Sequence, residues 1–569
     1  MTETTRRGLA NGLTNYGDPD FALYLRRSFA RSMGYSTDML ARPVVGIATS
    51  GGGFNNCHRL MPELVDAVKR GVLAAGGLPL EFPTVSLGEV FLSPTSLMFR
   101  NLMAMDVEEM IRAQPMDVVV LVGGCDKTVP AQLMGAVSAD KPAIQLVTGP
   151  MMTGRLNGER LGACTDCRRF WARYRADDID RDAIEAVEGR LSVTAGTCAV
   201  MGTASTMASI AETLGMLLPG TAAIPAVHAD RLRAAEATGK RAMELIGSQL
   251  TPRRIVTEKA IENAMRVLLA LSGSTNAVIH LAAIAGRAGI ELSLKRLNEL
   301  SDTTPVLVDL KPTGEGYMED FFAAGGLGAV LRELKDVLHL DCMTVTGETL
   351  GERLASEPPY VDRAIVRPRA QPISPEGGLV ALFGNLAPNG AILKRAAANP
   401  ALFEIEGRAV VFQGLDDLSA RIDDPDLEVE PHDILVLQNA GPIGAGMPEA
   451  GYLPIPGKLA RAGVKDMVRI SDARMSGTAF GTIVLHVSPE AAIGGPLALV
   501  RTGDRIRLSV RERRLDLLVS DEELASRRAT HQSPAGVGTE RGYRRIYRDQ
   551  VLQAEYGCDF RDLAGRERG

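Results

Sequence analysis

The sequence has a single tryptophan, and aromatic residues make up only 4% of its 569 positions. That is a poor fit to an aromatic-rich β-sandwich. The 59 glycines suit an α/β protein with tight turns and cores of Ala, Leu and Val. No apolar run approaches the ~18 residues that a membrane span needs. The polar opening MTETTRRGLANGLTNYGDPD lacks the apolar stretch of a secretory signal. Basic excess is absent too: 63 Lys and Arg against 69 Asp and Glu leave a net charge of −6. Nucleic acid and anionic membranes are therefore not expected partners. The seven cysteines (Cys57, Cys125, Cys164, Cys167, Cys198, Cys342, Cys558) are odd in number and widely spaced. Without an export signal they argue against a disulfide framework. Reduced thiols, some of them possible metal ligands, and a cytoplasmic address are the expectations.

What is present is a soluble globular composition, 45% hydrophobic and 23% charged, long enough for two to four domains. Strand-like runs (43–50, 116–124, 141–149) alternate with helical ones (60–77, 105–114), which predicts a mainly parallel sheet covered on both faces. Further helices are predicted over 203–218, 228–246 and 258–271. Five prolines in SEPPYVDRAIVRPRAQPISPEGG mark a linker between about 356 and 376. Beyond it, GLVALFG, GRAVVF, HDILVLQNA, GTIVLHVS and RLDLLVS predict a β-barrel-like domain. The expected division is an α/β domain over 1–360 and a barrel-like domain over 375–569. The polar, Arg-rich last ~45 residues interleave acids with bases and read as a solvated helical surface.

Ligands bind beyond the carboxyl ends of parallel strands, and two informative runs follow predicted strands there. SGGGFNNCHR (50–59) offers Cys57 and His58. GGCDKT (123–128) sets the thiol of Cys125 beside Asp126 and Lys127. The second is not a phosphate loop, because Asp126 stands where Gly must precede the Lys. GTCAVMGTAST (196–206) puts Cys198 in a loop that opens a helix, where a thiolate is favoured. Each of these also reads as a turn with a small buried residue. GACTDCRRFW holds the only CxxC, Cys164 and Cys167, with no second pair to complete a zinc site, so incidental loop thiols are the plainer reading. NAGPIGAGMPEAG is wrong for a dinucleotide fingerprint and reads as an anion nest with Glu449. SDARMSGTAFG offers Ser476 without a hydrolase elbow around it. In combination, three thiolates can hold an iron–sulfur cluster with one iron open. The carboxylates Glu89, Asp126 and Glu449 suit a hard ion such as Mg²⁺.

The chain resembles the dihydroxy-acid/phosphogluconate dehydratase family, and within it the sugar-acid (aldonate) dehydratases. The resemblance runs from about 40 to 560 through SLGE, FRNLMAMDVEE, GGCDKTVPAQLMGA, GTCAVMGTASTM, LSGSTNAVIHLAAIAG, TPVLVDLKPTGEGYMEDFFAAGGLGAV, NAGPIGAGMPE and ISDARMSGTAFG. It implies Cys57, Cys125 and Cys198 as cluster ligands, 2Fe–2S in preference to 4Fe–4S. It implies Glu89, Asp126, Glu449 and a carbamylated Lys127 as Mg²⁺ ligands. Ser476 would be the base, an alkoxide stabilised by the positive charge of the metals. The implied reaction removes water from a 2,3-dihydroxy carboxylate to give a 2-keto-3-deoxy acid. Mg²⁺ would grip the carboxylate and C2 hydroxyl, and the open iron would assist the leaving C3 hydroxide. An interdomain site and a homodimer or homotetramer are implied as well. The runner-up within the family is the dihydroxy-acid dehydratase of branched-chain amino-acid biosynthesis. A cluster-carrying electron-transfer or sensor protein and a zinc module are the readings from other classes. Ala199-Val200 after Cys198 departs from the more polar pair expected in sugar-acid relatives, and the Cys164/Cys167 pair is not a family landmark.

Overall fold

The computed structural model describes residues 7–13, 16–356, 359–532 and 541–565. Four strands pair in parallel in the order β2-β1-β3-β4: β1 (Val44–Thr49), β2 (Leu78–Pro83), β3 (Val118–Gly123) and β4 (Ala143–Val147). Every residue of β3 and β4 is buried. That is why both read as continuous apolar runs rather than alternating ones. The sequence reading did not name β2, because Pro79 and Pro83 interrupt it; it sits at the sheet edge, where proline is tolerated. Around the sheet pack α1 (Met61–Ala74), α2 (Ser96–Ala113) and α3 (Thr128–Ala139). The hydroxyl of Thr95 caps α2, which starts well before the expected residue 105. Three more helices matter below: α4 (Thr165–Arg175), α5 (Thr203–Thr213) and α6 (Asn276–Arg287).

The second sheet has eight strands: β5 (Val380–Leu382), β6 (Gly390–Leu393), β7 (Glu404–Phe412), β8 (Ile434–Leu437), β9 (Arg469–Ser471), β10 (Ile483–Ser488), β11 (Arg505–Ser509) and β12 (Arg514–Leu517). Their order is β12-β11-β7-β8-β9-β10-β6-β5. The four central strands are parallel and the flanking pairs antiparallel. The two edges meet: Phe383 N donates to Arg513 O at 2.9 Å, and Leu515 N donates to Phe383 O at 2.8 Å. The sheet is thus a nearly closed barrel, which leaves little edge to template aggregation. Val380, Leu393, Ala409, Val436, Ile470 and Leu515 share one apolar cluster in it.

The proline-rich stretch is laid down against the N-terminal half rather than left loose. Arg367 N donates to Leu307 O at 2.7 Å, Ile373 N donates to Val306 O at 2.9 Å, and Val366 is fully buried. Among the described residues, no helix is long and apolar enough to cross a membrane.

The C-terminal segment departs from the expected solvated surface. Helix 521–530 buries nothing, in agreement with it. Residues 533–540 and 566–569 of that tail lie outside the described residues. The segment from α7 (Gly542–Gln550) to 565, however, packs onto the α/β half. Tyr547, Cys558 and Phe560 are buried with Leu97 and Met98 of α2. The fully buried Arg287 donates to Asp559 at 2.5 and 3.0 Å and to Glu108 at 2.8 Å. Interleaved charges resemble a solvated face in a sequence, but here an acid in the tail pairs with a buried base 272 residues earlier. Removing Asp559 leaves the buried guanidinium answered by Glu108 alone, so Asp559→Ala should cost about 3 kcal/mol in urea unfolding, the low end for breaking a buried pair. Limited proteolysis should then cut first in the C-terminal segment.

Candidate active site

The site is assembled where strands end. β1 runs into Ser50–Gly53 and a single 3₁₀ turn, Asn56–His58, that holds Cys57. Beyond β2 comes Glu89. β3 runs into Gly124-Cys125-Asp126-Lys127, and α3 begins at the next residue. Gly124 can only be glycine, because a Cβ there would lie 1.8 Å from Thr148 Oγ1. His58 holds this turn. Its Nε2 accepts from Gly124 N at 2.9 Å and Cys125 N at 3.2 Å, while its Nδ1 lies 2.8 Å from Ser50 O. These partners assign the neutral tautomer with the proton on Nδ1. Burial pushes the imidazole down to about 4.

The thiols gather above these loops. Cys57 and Cys125 are close enough for each other's charge to be felt. The loop before α5 brings Cys198 to the same place, close enough for charge on Cys57 or Asp126 to act on it. A fourth thiol joins them: Cys164, just before α4, has its Sγ 3.5 Å from that of Cys198. The CxxC is therefore not remote from the other cysteines, and only the fold reveals this. The Cys125 contact and then burial push Cys57 well up. The Cys164 contact and then burial do the same to Cys198. Cys167 and Cys198 hold Cys164 well below the usual thiol range.

Beside the thiols three carboxylates converge on two cations. The fully buried Lys127 lies 2.8 Å from Glu89 and 3.6 Å from Asp126. Arg474, almost wholly buried in the loop after β9, donates to Glu89 at 2.9 Å and to Glu449 at 2.6 Å. It also donates to Met447 O at 2.8 Å and Thr95 Oγ1 at 3.0 Å. The hydroxyl of Ser96 donates to Glu89. Burial alone would raise Glu89, but Lys127 and Arg474 outweigh it and hold the carboxyl well below its usual range. Asp126 goes the other way. Burial, with Glu89 and Glu449 nearby and only partly offset by Lys127, pushes it up to about 7. Sequence reasoning passed over Arg474. It is the one base in SDARMSGTAFG.

Ser476 lies two residues beyond Arg474 and is mostly buried, with Oγ 2.9 Å from Thr478 Oγ1. Its loop presses directly on the α/β half. A Cβ on Gly477 would meet Ser274 at 2.6 Å and Thr203 N at 2.8 Å, and one on Gly202 would meet Thr478 at 2.8 Å. Thr165 Oγ1 donates to Thr478 O at 3.1 Å. The barrel thus delivers Ser476, Arg474 and Glu449 to the loops of the cysteines, Glu89, Asp126 and Lys127.

Among the described residues, no three His, Cys, Asp or Glu side chains are drawn close enough to hold a metal ion as they stand. The donor chemistry nonetheless fits cationic groups of two kinds. Thiols that are only partly exposed and held up by one another are relieved by a thiophilic centre such as an iron–sulfur cluster. Half-buried carboxylates with one pushed to about 7 are relieved by a hard divalent ion. The ammonium of Lys127 bridges Glu89 and Asp126, supplying part of the positive charge such an ion would bring.

Fold and site together define a two-part protein, α/β sheet plus barrel, with a thiol-and-carboxylate centre at the junction. The N-terminal dihydroxy-acid/6-phosphogluconate dehydratase domain matches residues 42–353, and the C-terminal one matches 364–558. The chain is 46% identical over 534 residues to the 6-deoxy-6-sulfo-D-gluconate dehydratase of Pseudomonas putida, covering 93% of this chain and 92% of that one. It is 46% identical over 554 residues to the L-arabinonate dehydratase of Rhizobium leguminosarum bv. trifolii, covering 97% and 95%. Identity to the dihydroxy-acid dehydratase of Syntrophobacter fumaroxidans is 38% over 542 residues, covering 94% and 96%. The protein belongs to the dihydroxy-acid/6-phosphogluconate dehydratase family.

The neutral His58 that holds the Cys125 turn makes a pH prediction. Its folded value of about 4 lies below the ordinary 6.5, so the native state resists protonation. The penalty is absent above pH 6.5 and accumulates as pH falls toward 4. Wild type should exceed His58→Gln in unfolding free energy at pH 7.5. By pH 4.5 that advantage should shrink by about 2–3 kcal/mol, read by chemical denaturation of both proteins.

Proposed function

We propose that the protein is a hydro-lyase that removes water from a sugar acid, an aldonate with hydroxyls at C2 and C3, to give a 2-keto-3-deoxy acid. The observation that carries this reading is the junction itself: the loop of Ser476 is pressed against the segments next to Cys164 and Cys198, and Arg474 of the same loop reaches Glu89. Identity of 46% to two relatives named for sugar acids, against 38% and 40% to two named dihydroxy-acid dehydratases, supports the sugar-acid substrate.

In this reading Cys57, Cys125 and Cys198 hold an iron–sulfur cluster, 2Fe–2S in preference to 4Fe–4S. Glu89, Asp126, Glu449 and Lys127, the last as its carbamate, hold Mg²⁺. Together these groups supply, when bound, Lewis-acid assistance to the leaving C3 hydroxide and acidify the C2 proton. Converting Lys127 to a carbamate reverses its charge, and the four anions then need a divalent cation between them. Lys127 and Arg474 keep Glu89 ionised, and Arg474 aims both Glu89 and Glu449. Ser476 Oγ, as its alkoxide, takes the proton from C2 as the C3–O bond breaks; that proton then passes to the departing hydroxide, which leaves as water, and the alkoxide is restored. The resulting enol tautomerises to the 2-keto acid. The loops around Ser476 are buried, which keeps bulk water from the base. Exposed Tyr16, Phe21, Tyr24 and Phe29, three of them on helix Pro19–Ser32, support assembly as a homo-oligomer.

The test is an anaerobic assay of cluster-intact protein with Mg²⁺ on C4–C6 aldonates and on 2,3-dihydroxy-isovalerate, detecting 2-keto acid. Product from aldonates is expected. Product mainly from the branched acid would move the chain to the branched-chain enzyme. Ser476→Ala should retain iron, sulfide and Mg²⁺ but lose at least about 100-fold in kcat, whereas undiminished turnover would remove Ser476 as the base. Cys125→Ser should lose the visible absorbance of the cluster, and an unchanged spectrum would refute that ligand.

A further inference from the structure

Lys394 is the residue immediately after β6, and it is 1% exposed. A buried ammonium is expensive and is normally answered by a carboxylate. This one is not. Among the described residues, Nζ has one hydrogen-bond partner, the carbonyl oxygen of Gly477 at 3.5 Å, and no carboxylate at ion-pair distance. Burial is the one cause that pushes the amine down, to about 7, and no charged neighbour contributes. Gly477 follows Ser476. Arg474, the cation on the Ser476 loop itself, has its charge answered by Glu89 and Glu449.

The carbonyl of Gly477 and the N–H of Thr478 are opposite ends of one planar peptide group. The oxygen end faces Lys394 Nζ at 3.5 Å, and the N–H end faces Ser476 Oγ, also at 3.5 Å. The peptide dipole therefore lies between the ammonium and the serine, with its positive end toward Oγ. Both contacts are long, as catalytic hydrogen bonds often are before charge develops.

We propose that Lys394 is a positioning residue, which orients and polarises the Gly477–Thr478 peptide so that its N–H stabilises negative charge on Ser476 Oγ. This rests on the reading of Ser476 as the base. It supplies a role for a buried cation that the fold does not otherwise use. The ammonium and an alkoxide on Ser476 stabilise each other through a preorganised dipole that needs no movement during the reaction.

The proposal separates stability from activity. Lys394→Met removes an unanswered buried charge, so its melting temperature should be equal to or above that of wild type. Iron, sulfide and Mg²⁺ contents should be unchanged. On the aldonate turned over fastest, kcat should fall about 100-fold, the scale of losing one preorganised donor, while KM stays within about threefold. Lys394→Arg, which keeps the charge, should recover part of kcat. Loss of stability or failure to fold in Lys394→Met would make the lysine structural and overturn the proposal, as would a kcat within threefold of wild type. Ser476→Ala, assayed in parallel, keeps the two readings apart. If it stays active, the assignment of the base fails; if it is dead while Lys394→Met is fully active, only the role of Lys394 fails.

Discussion

The site depends on one buried guanidinium. Arg474 reaches from the barrel to Glu89 of the α/β half while holding Glu449 of its own half. A guanidinium fork can serve two carboxylates at once, which a lysine ammonium does less well. Because the fork is almost fully buried, both ion pairs sit in a medium where an unpaired charge is costly. The two halves are thereby held in one register at the level of single side chains. Ser476, two residues further along the same loop, takes its place from that register.

Steric constraints complete what the charges begin. Gly477 and Gly202 lie where the barrel loop meets the loops that precede α5 and α6, and neither position has room for a Cβ. At the base of the site, Gly124 and His58 fix the Cys125 turn through backbone hydrogen bonds rather than through ionic pairs. A neutral histidine is suited to this, since a charged one would add to Lys127 and Arg474 in the same buried volume. From the far side, the C-terminal segment braces the scaffold through Arg287, Asp559 and the carbonyls of Gly557 and Cys558, which accept from Arg100.

The site holds several groups that a stability-driven design would avoid. Asp126 and Asp472 are each pushed up to about 7 by burial first. Asp472 survives by accepting from Ala440 N and Ala491 N at 2.9 Å each. The unanswered Lys394 belongs to the same set. The apolar clusters of the sheet and barrel offset these costs, so the expensive groups can be concentrated at the junction.

By itself, the sequence determined the local and repetitive parts. Continuous apolar runs such as VVVLVG marked strands buried on both faces, and short β-rich runs after the proline-rich stretch marked the barrel. The ordered motifs marked Cys57, Cys125, Cys198, Glu89, Asp126, Lys127, Glu449 and Ser476 as the residues to watch. Strands β2, β6 and β9 were not legible: prolines interrupt β2, β6 opens on a glycine, and two of the three residues of β9 are polar. Only the tertiary structure decided which distant residues meet. Cys164 reaches Cys198, Arg474 reaches Glu89 across 385 residues, Asp559 reaches Arg287, and Lys394 comes to lie behind the Ser476 loop. The physical reason is that periodicity reports which face of an element is buried, whereas the partner of a buried charge or thiol is set by the packing of loops far apart in the chain.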